Sequence, residues 1–564
     1  MACLVTEFRV QVTAGSTVRP FIPNPGRFHM YARKPRHHTR MTLAMAASAL
    51  AVACSVDKPT APLGTRPASV IVASQFHVTS TLDDGSDGTL RKEIGDAADD
   101  DTVTIDAALA GQTINLSMGQ ITVLKRLTIL GPGPQGITIR ADANSRVFLI
   151  PLGGSLEVQD ATVTGGDSGG DGGAFSATGP LALKRVTMTG NTSANRGGAV
   201  YAEGPLQIID SKIISNHALT GGGGVFVGSS LIAGPVIISR TTVDNNVVTS
   251  STAGSGGGGV ATTRDATIDH STISGNTARG GGGIEIRVGI LTLVNSTVSG
   301  NTSLFAGGGI SIDGRAVLRH TTIAFNTAGT TGGGIFRLAD DPTTFENIIV
   351  SGNTAIANQN CLLDPGVVYQ GQNLFGDGSC NPGAAPGIVA DPLLGPLANN
   401  GGPTLTHKLL VSSPAIDAAP SCIVSDDQRG VARPLGPKCD LGSTEFTDYV
   451  ATAATIDPSG TVNQSTGVAV VSGTHTCAIS TPLTLRVTVK QKNRARRIPT
   501  EIVGTADVSV TCDAKAAWAA AVPPLTGAFS NSPVSVTVQS LNQPAWVAPI
   551  SVTAASVTMA WSRR

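Results

Sequence analysis

Glu285, Arg287 and Asp313 are the residues whose types and spacing in this sequence are best suited to chemistry. They lie in two short runs, Ile284 to Arg287 and Ile310 to Asp313, in which apolar and polar residues alternate. Such alternation predicts strands with one buried face, so the isoleucines would point inward and the charged side chains outward. Two carboxylates can supply an acid and a base, and a guanidinium can hold a carboxylated sugar.

The same positions in neighbouring repeats extend this set into two columns on an outer strand face. The first column is Tyr201, Phe226, Ala261, Glu285, Ser311 and Phe336, and the second is Glu203, Gly228, Thr263, Arg287, Asp313 and Leu338. The ligand-binding candidates are Tyr201, Glu203, Phe226, Glu285, Arg287, Asp313 and Phe336. A sugar polymer could lie on the two leading aromatic rings and meet Glu203. The alternative is a solvated face with one ion pair between Arg287 and Asp313, worth about 0–1 kcal/mol.

A further polar column precedes the Ser or Thr of each repeat. It consists of Asp210, Arg240, His270, Asn295, His320 and Glu346. Acids and imidazoles on adjacent coils could exchange protons, and solvated residues at a bend are the alternative. His270 and His320 are one coil too far apart for a shared metal, at roughly 9.6 Å of stacking. We expect no metal and no cofactor, and His217 and His407 carry no local motif.

A repeat of 25 to 30 residues must position all of these side chains. It is aligned on an asparagine that follows a β-branched run, at Asn191, Asn216, Asn246, Asn276, Asn301, Asn326 and Asn353. A fixed period of this size is typical of stacked-repeat proteins. Three short strands per repeat and a glycine cluster after the asparagine predict one coil of a parallel β-helix, because glycines would weaken a helical repeat. Stacked asparagines would then form a hydrogen-bonded ladder.

Composition narrows the class of protein. The chain has 564 residues with 68 glycines, and charged residues are only 14%, which indicates a strand-rich chain of several domains. Lys+Arg and Asp+Glu are both 39, so no basic excess points to nucleic acid. We expect a monomer with no nucleic-acid partner.

The N-terminal region predicts export. We divide it into an upstream basic leader at 1–40, a signal at 41–54 and a flexible tether at 55–75, because a basic stretch precedes a short apolar run that ends at Cys54. Leu50-Ala-Val-Ala-Cys54 resembles the lipobox of bacterial lipoproteins, which implies lipidation of Cys54 and an outer-membrane or cell-surface location. The alternative is a plain secretory signal in which Cys54 is incidental. The last six cysteines fall into regional pairs, which predicts the disulfides Cys361–Cys380, Cys422–Cys439 and Cys477–Cys512.

The helix body and the segment after it resemble known bacterial families. Asp87-Gly-Thr-Leu-Arg91, Leu127-Thr-Ile-Leu-Gly-Pro-Gly133 and the repeated Ser-Thr-Ile-Ser-Gly-Asn are similar to bacterial right-handed parallel β-helix surface proteins, related to polymorphic outer-membrane proteins. That resemblance covers 76–395, and an amphipathic helix at Thr89–Ala98 would cover the first coil. The sequence lacks the aspartate cluster that is typical of the β-helix pectate lyases and polygalacturonases.

Residues 396–447 are similar to the "choice-of-anchor Q" segment found after such helices. The motifs that carry this likeness are Asn399-Asn-Gly-Gly-Pro403, Asp427-Gln-Arg-Gly430 and Cys439-Asp-Leu-Gly442. We expect a disulfide-pinned C-terminal cap in which Asp427, Arg429 and Arg433 form structural pairs. Residues 448–564 alternate in short strands and resemble a separate immunoglobulin-like β-sandwich.

The sequence as a whole therefore predicts an all-β, exported, lipid-anchored protein that acts in adhesion or glycan binding without catalysis. One alternative is a polysaccharide lyase or glycoside hydrolase of the same fold. Another is a passive spacer that presents the C-terminal sandwich.

Overall fold

The computed structural model describes most of the chain from Phe76 onward. The described residues are 76–142, 144–228, 234–252, 254–338, 341–380, 387–410, 412–447, 451–477, 481–493, 500–512, 516–541 and 550–562. The leader, the signal, the tether and Cys54 lie outside them. Within the described residues no helix has the length and apolar character needed to cross a bilayer.

A parallel β-solenoid of about 12 turns forms the main body, as the repeat predicts. Each full coil contributes a strand to a first face, bends, contributes a strand to a second face, passes through a short third strand and a glycine cluster, and ends with a strand on a third face. In-register parallel pairing joins equivalent residues of successive coils, as in Val260, Ile284 and Ile310. Alternate side chains therefore point into one continuous core.

The first and second faces belong to one large sheet because two of its strands run through the bend between them. Its strands are Phe76–Val78, Asp101–Ile105, Thr113–Leu116, Arg126–Leu130, Ile137–Ala141, Ser155–Thr164, Leu181–Thr189, Leu206–Ile209, Lys212–Ile214, Val236–Ser239, Thr242–Asp244, Ala266–Asp269, Thr272–Ser274, Ile290–Val294, Thr297–Ser299, Arg315–Arg319, Thr322–Ala324, Thr343–Glu346, Ile349–Ser351, Val367–Gln370, Leu374–Phe375 and Ile388–Val389.

Two smaller parallel sheets complete the coils. The third face contains Ile121–Thr122, Phe148–Ile150, Phe175–Ala177, Val200–Ala202, Val225–Val227, Val260–Thr262, Ile284–Ile286, Ile310–Ile312, Ile335–Arg337 and Cys361–Leu363. The short strands are Asp167–Ser168, Thr192–Ser193, His217–Ala218, Val247–Val248, Thr277–Ala278, Thr302–Ser303 and Thr327–Ala328.

The seven repeated asparagines lie one above another inside the solenoid, and all are buried. In Asn301, for example, Nδ2 donates to Oδ1 of Asn326 at 2.9 Å, and the backbone N–H donates to the same oxygen at 3.0 Å. Nδ2 also donates to the carbonyl of Ile273. Asn360 extends the column by accepting from Asn353. The column thus satisfies backbone and side-chain groups at a buried bend, where unmade hydrogen bonds are costly.

Glycine is required where the coils approach most closely. A Cβ on Gly282 would lie 2.4 Å from the carbonyl oxygen of Gly308 in the next coil. Gly281 before it has φ +55°, a conformation that favours glycine. The glycine cluster is therefore what lets each coil turn from the asparagine column onto the third face.

Arg337 is an unexpected occupant of the solenoid interior. It stands in the inward column that contains Ile286 and Ile312, and its side chain is fully buried. Its guanidinium donates to the Thr343 hydroxyl and to backbone carbonyls, including that of Asp364. The alternation of apolar and polar residues places position 337 inward, where a charged side chain is not expected.

One α-helix, Leu90–Asp96, lies near the start of the solenoid. Leu90, Ile94 and the following Ala97 are buried, as its amphipathic pattern indicates. It contacts the strands Phe76–Val78 and Asp101–Ile105. That it covers the open edge of the first coil stays a prediction. Short 3-10 helices occur at Ala107–Leu109 and Gly378–Cys380.

The segment after the solenoid packs along the second face of the later coils. It begins with an antiparallel hairpin, Leu394–Ala398 and Thr406–Leu409. Gln428 accepts a hydrogen bond from the Thr297 hydroxyl at 2.6 Å and donates to the Ser271 carbonyl. Apolar contacts with Ile349 and Leu374 complete the interface. The expected cap is therefore a lateral cover that lies on the sides of coils.

Covalent and ionic links hold the last coils and the lateral cover together. The disulfide Cys361–Cys380 is confirmed and tethers the last coils, and Cys422 is bonded to Cys439 within the cover. Cys477–Cys512 lies outside the described side chains. The two ion pairs, Asp427–Arg429 and Arg433–Glu445, each have a 2.6 Å contact, and their side chains are almost inaccessible.

Residues beyond 451 form an eight-stranded sheet with a hydrophobic core of its own. Trp518 is buried in that core. The strands are Ala451–Ala454, Ser459–Asn463, Ala469–Cys477, Thr481–Asn493, Thr500–Cys512, Ala516–Val522, Val534–Ser540 and Ser551–Ser562.

Replacing Asn301 by alanine tests the column. The change removes the acceptor for two buried donors of Asn276 and a donor to Ile273, so we expect the free energy of unfolding to fall by about 3 kcal/mol. Chemical denaturation measures it, and Asn115→Ala, at an exposed strand position, is the control. Equal effects of the two changes would contradict a special role for the column.

Candidate functional site

The predicted ligand-binding columns stack as successive rungs of the third face. Tyr201 is paired with Phe226, Phe226 with Ala261, Ala261 with Glu285, Glu285 with Ser311, and Ser311 with Phe336. The prediction that this face is open to solvent is wrong for most of the first column. Tyr201 and Glu285 are each 7% exposed and Phe226 is 1% exposed. The aromatic rings are therefore not free platforms for a sugar.

The glycine-rich arc of each coil covers this column. Arg196, Gly221, Gly256 and Gly280 form a ladder of bridges beside the strands. The guanidinium of Arg196 lies 4.9 Å from the centroids of both the Tyr201 and Phe226 rings. Asp171 on the preceding coil holds that guanidinium through two hydrogen bonds of 3.0 and 2.9 Å. A cation stacked on aromatic rings and paired with a carboxylate fixes the arc in place.

Glu285 and Arg287 form an ion pair within one strand. Their closest nitrogen–oxygen distance is 2.6 Å, and the carboxylate is the more deeply buried partner. Burial raises the pKa of Glu285, and the guanidinium opposes that shift. The expected pairing of Arg287 with Asp313 is wrong, because the guanidinium turns to Glu285 and Asp313 stays exposed on the next coil.

Three charged residues of the second column, together with Arg264 beside it, reach the surface next to this buried first column. We call Glu203, Arg264, Arg287 and Asp313 the charged strip. Glu203 accepts a 2.6 Å hydrogen bond from the Tyr201 hydroxyl. Arg264 donates to the carbonyls of Glu203 and Gly204 at 2.8 and 2.5 Å. The strip thus spreads two carboxylates and two guanidiniums over a span of five successive coils. Tyr201 and Glu285 of the buried first column hold Glu203 and Arg287 in position.

Five of the six residues in the remaining predicted column lie at the bend between the first and second faces. Asp210, Arg240, His270, Asn295 and His320 all have positive φ there. Glu346 is misplaced by one residue, because Asn347 occupies the bend with φ 58°. Counted back from the repeated asparagine, the bend residue is six positions upstream in every coil, so Asn347 is the equivalent before Asn353.

Most residues of this bend column form contacts that stabilise the fold. Arg240 pairs with Asp210 at 2.6 Å across coils. His270 contacts Asp269 at 2.9 Å and Asp426 of the lateral cover at 3.3 Å. His320 is fully buried under that cover, and burial lowers its pKa to about 2. Proton exchange between coils therefore has little support here. No group of three or more His, Cys, Asp or Glu in the described residues is placed to hold a metal ion.

Ser299 and His407 form a close contact that no sequence pattern indicates. The Ser299 hydroxyl lies 2.8 Å from Nε2 of His407, while Nδ1 lies 2.7 Å from the carbonyl oxygen of Gly395 and donates to it. These distances suit a nucleophile and its base. The two residues are however only 3% and 2% exposed, so the contact fastens the hairpin of the lateral cover to the coils.

No known protein family matches this chain, and no curated protein matches it. The functional assignment therefore depends on the geometry of the charged strip and its surroundings.

Arg196, Asp171 and Arg264 are the members of this site that sequence reasoning missed. None of them occupies the alternating strand positions used to choose candidates. A signal for Arg196 was available, since it precedes the glycine pair of its coil where the next coil has Gly221. A long cation next to a glycine cluster indicates an arc that folds over the adjacent strand.

Glu285→Gln tests the burial of this carboxylate. The folded-state pKa lies above the unfolded value, so wild-type stability is fully present below about pH 4 and falls as the pH rises through the folded-state pKa. We expect the glutamine variant to match the wild type in acid and to be more stable at neutral pH, measured by thermal unfolding across pH.

Arg287→Gln provides the opposing control. It removes the cation that stabilises the carboxylate, so stability should fall more steeply with pH than in the wild type. A glutamine variant at 285 that is less stable than wild type at neutral pH would contradict this interpretation.

Proposed function

We propose that the protein is an exported surface β-helix that binds an elongated, carboxylated polysaccharide along the charged strip. The observation that carries the proposal is that hydrogen bonds from the row beneath fix Glu203 and Arg287 while both remain partly exposed. Groups fixed before binding lose little conformational freedom when the ligand arrives.

The strip suits a polymer because its charged groups are spread along the solenoid axis over a span of five successive coils. Glu203 and Asp313 are four coil steps apart, about 19 Å at ordinary strand spacing. Carboxylates accept hydrogen bonds from sugar hydroxyls, and guanidiniums donate in pairs to sugar carboxylates. Arg264 and Arg287 lie between the two acids along this path, so one chain of several sugars could satisfy both kinds of group.

Export and lipid anchoring through Cys54 belong to the same proposal. The disulfides Cys361–Cys380 and Cys422–Cys439 support an oxidising compartment, because such bonds rarely persist in the cytosol. In this proposal the solenoid is the right-handed form, 396–447 fasten it laterally, and 448–564 form a separate sandwich. Adhesion to a surface glycan would be the biological outcome.

A polysaccharide lyase or hydrolase is the second candidate, and one observation favours it. Burial raises the pKa of Glu285, which makes its carboxyl group a better proton donor near neutral pH, and Asp313 stands on the adjacent coil. The same burial limits access to Glu285, which is why binding is preferred. A passive spacer that presents the sheet beyond 451 is the remaining alternative.

Binding of the mature chain to a panel of acidic and neutral polysaccharides tests the proposal. We expect acidic polymers to bind, and Arg287→Ala to weaken that binding at least tenfold because it removes a guanidinium and frees Glu285. Affinity electrophoresis or calorimetry provides the readout. Arg185→Ala is the control, since it removes an ion-paired arginine from another part of the solenoid.

Other outcomes separate the alternatives. Release of unsaturated or reducing ends, abolished by Glu285→Gln or Asp313→Asn, would establish the enzyme. Binding that survives Arg287→Ala but is lost when 448–564 are deleted would favour the spacer.

A further inference from the structure

A groove with apolar walls lies between the second face and the hairpin of the lateral cover. Its volume is about 530 Å³, within the usual range for small-molecule sites. We call it the hairpin groove. Its floor is formed by the bends of two coils at Gly275 and Gly300. The floor is open at Gly300, where an added Cβ would meet nothing closer than the Gly275 nitrogen at 4.0 Å, while the Asn245 amide lies over Gly275. Leu397 and Leu405 of the hairpin form its long wall.

Phe325 closes one end of the hairpin groove in an unusual conformation. Its φ is +57°, at a bend where most other coils have glycine, for example Gly300 and Gly352. A bulky side chain in this region is strained and uncommon. The side chain is nevertheless 48% exposed, and its ring centroid lies 5.0 Å from that of the His407 imidazole, with the two ring planes tilted by 56°. One edge of the ring lies over Gly352, where an added Cβ would be 2.7 Å from a ring carbon. The rest of the ring stays accessible at the groove, and an exposed aromatic residue with a strained backbone suits an apolar ligand there.

Asp244 provides the charge at the opposite end. It lies three coil steps from the Phe325 coil, roughly 14 Å at strand spacing. Ser274 and Asn245 each donate a 2.6 Å hydrogen bond to its carboxylate, so neutral donors orient it. Burial lowers the pKa of His407, which keeps the imidazole uncharged near neutral pH and leaves Asp244 to set the charge of the groove.

We propose that the hairpin groove binds a hydrophobic primary ammonium compound, with the ammonium group on Asp244 and the aryl or alkyl body along the glycine floor towards Phe325. A carboxylate at one end favours a cationic group, and apolar walls stabilise a long hydrocarbon body by removing it from water. This site is separate from the charged strip and does not depend on the function proposed for it.

Three matched probes test the chemical class: phenylbutylamine, phenylbutanol and phenylbutyrate. Titration of the full chain by calorimetry should give the amine at least a tenfold tighter dissociation constant than the alcohol, and no binding of the carboxylate. Asp244→Asn should remove the advantage of the amine while leaving the alcohol unchanged. Equal affinity for amine and alcohol in the wild type, or an amine affinity unaffected by Asp244→Asn, would overturn the proposal.

Substitutions at the bend test the location. Gly300→Asn places a side chain in the floor at a φ that asparagine tolerates, and should abolish amine binding. Gly190→Asn makes the same change at a bend outside the groove, where a Cβ meets only Thr164 at 3.6 Å, and should leave binding intact. Binding that survives Gly300→Asn would place the ligand elsewhere.

Phe325→Gly distinguishes a ligand-binding ring from a structural one. Because glycine relieves the strain, the thermal midpoint should stay the same or rise, while amine affinity should fall at least fivefold. A lower midpoint with unchanged affinity would mean that the ring serves the fold alone, and would overturn its role in the site.

Discussion

In-register stacking of the asparagine column is the constraint on which the rest of this structure depends. Each of the first six amides in the column bonds to the next coil, so a shift of one residue would leave buried donors without acceptors and move the inward side chains out. Coil length can vary only where the column is unaffected. The two 30-residue intervals place their extra residues between Val227 and Val236, and between Val248 and Val260. The pairing of Val225 with Val260 survives both insertions.

The period and the alternation of side chains were enough to predict the solenoid and the stacking of its columns. They could not predict which columns are open, because burial depends on what folds over a strand from elsewhere. Tyr201 and Phe226 point away from the core as expected, yet Arg196 and the glycine arc cover them. An outward direction is a property of the strand itself, whereas exposure depends on the arc before the strand.

The lateral cover shows the same limit of sequence-based prediction, here for residues that are far apart in the chain. Thr242 and Thr272 occupy equivalent positions on neighbouring coils and are indistinguishable in the repeat. Thr242 remains partly exposed, while Thr272 is buried and receives a hydrogen bond from Gln428, which is 156 residues away. The sequence resemblance placed 396–447 after the solenoid, but the direction in which that segment turns back is set by side-chain contacts that no local pattern encodes.

The bends are the positions where this fold has most freedom, because a side chain with positive φ points away from both the core and the asparagine column. At the second bend successive coils carry Ser215, Asn245, two glycines and then Phe325. Serine, asparagine and glycine all suit that conformation locally, whereas phenylalanine does not. A solenoid held by many repeated bonds can tolerate one strained bend with little risk to its overall stability. A residue that opposes the local preference of a repeat therefore needs a reason outside the repeat, which is internal hydrogen bonding for Arg337 and the proposed ligand for Phe325.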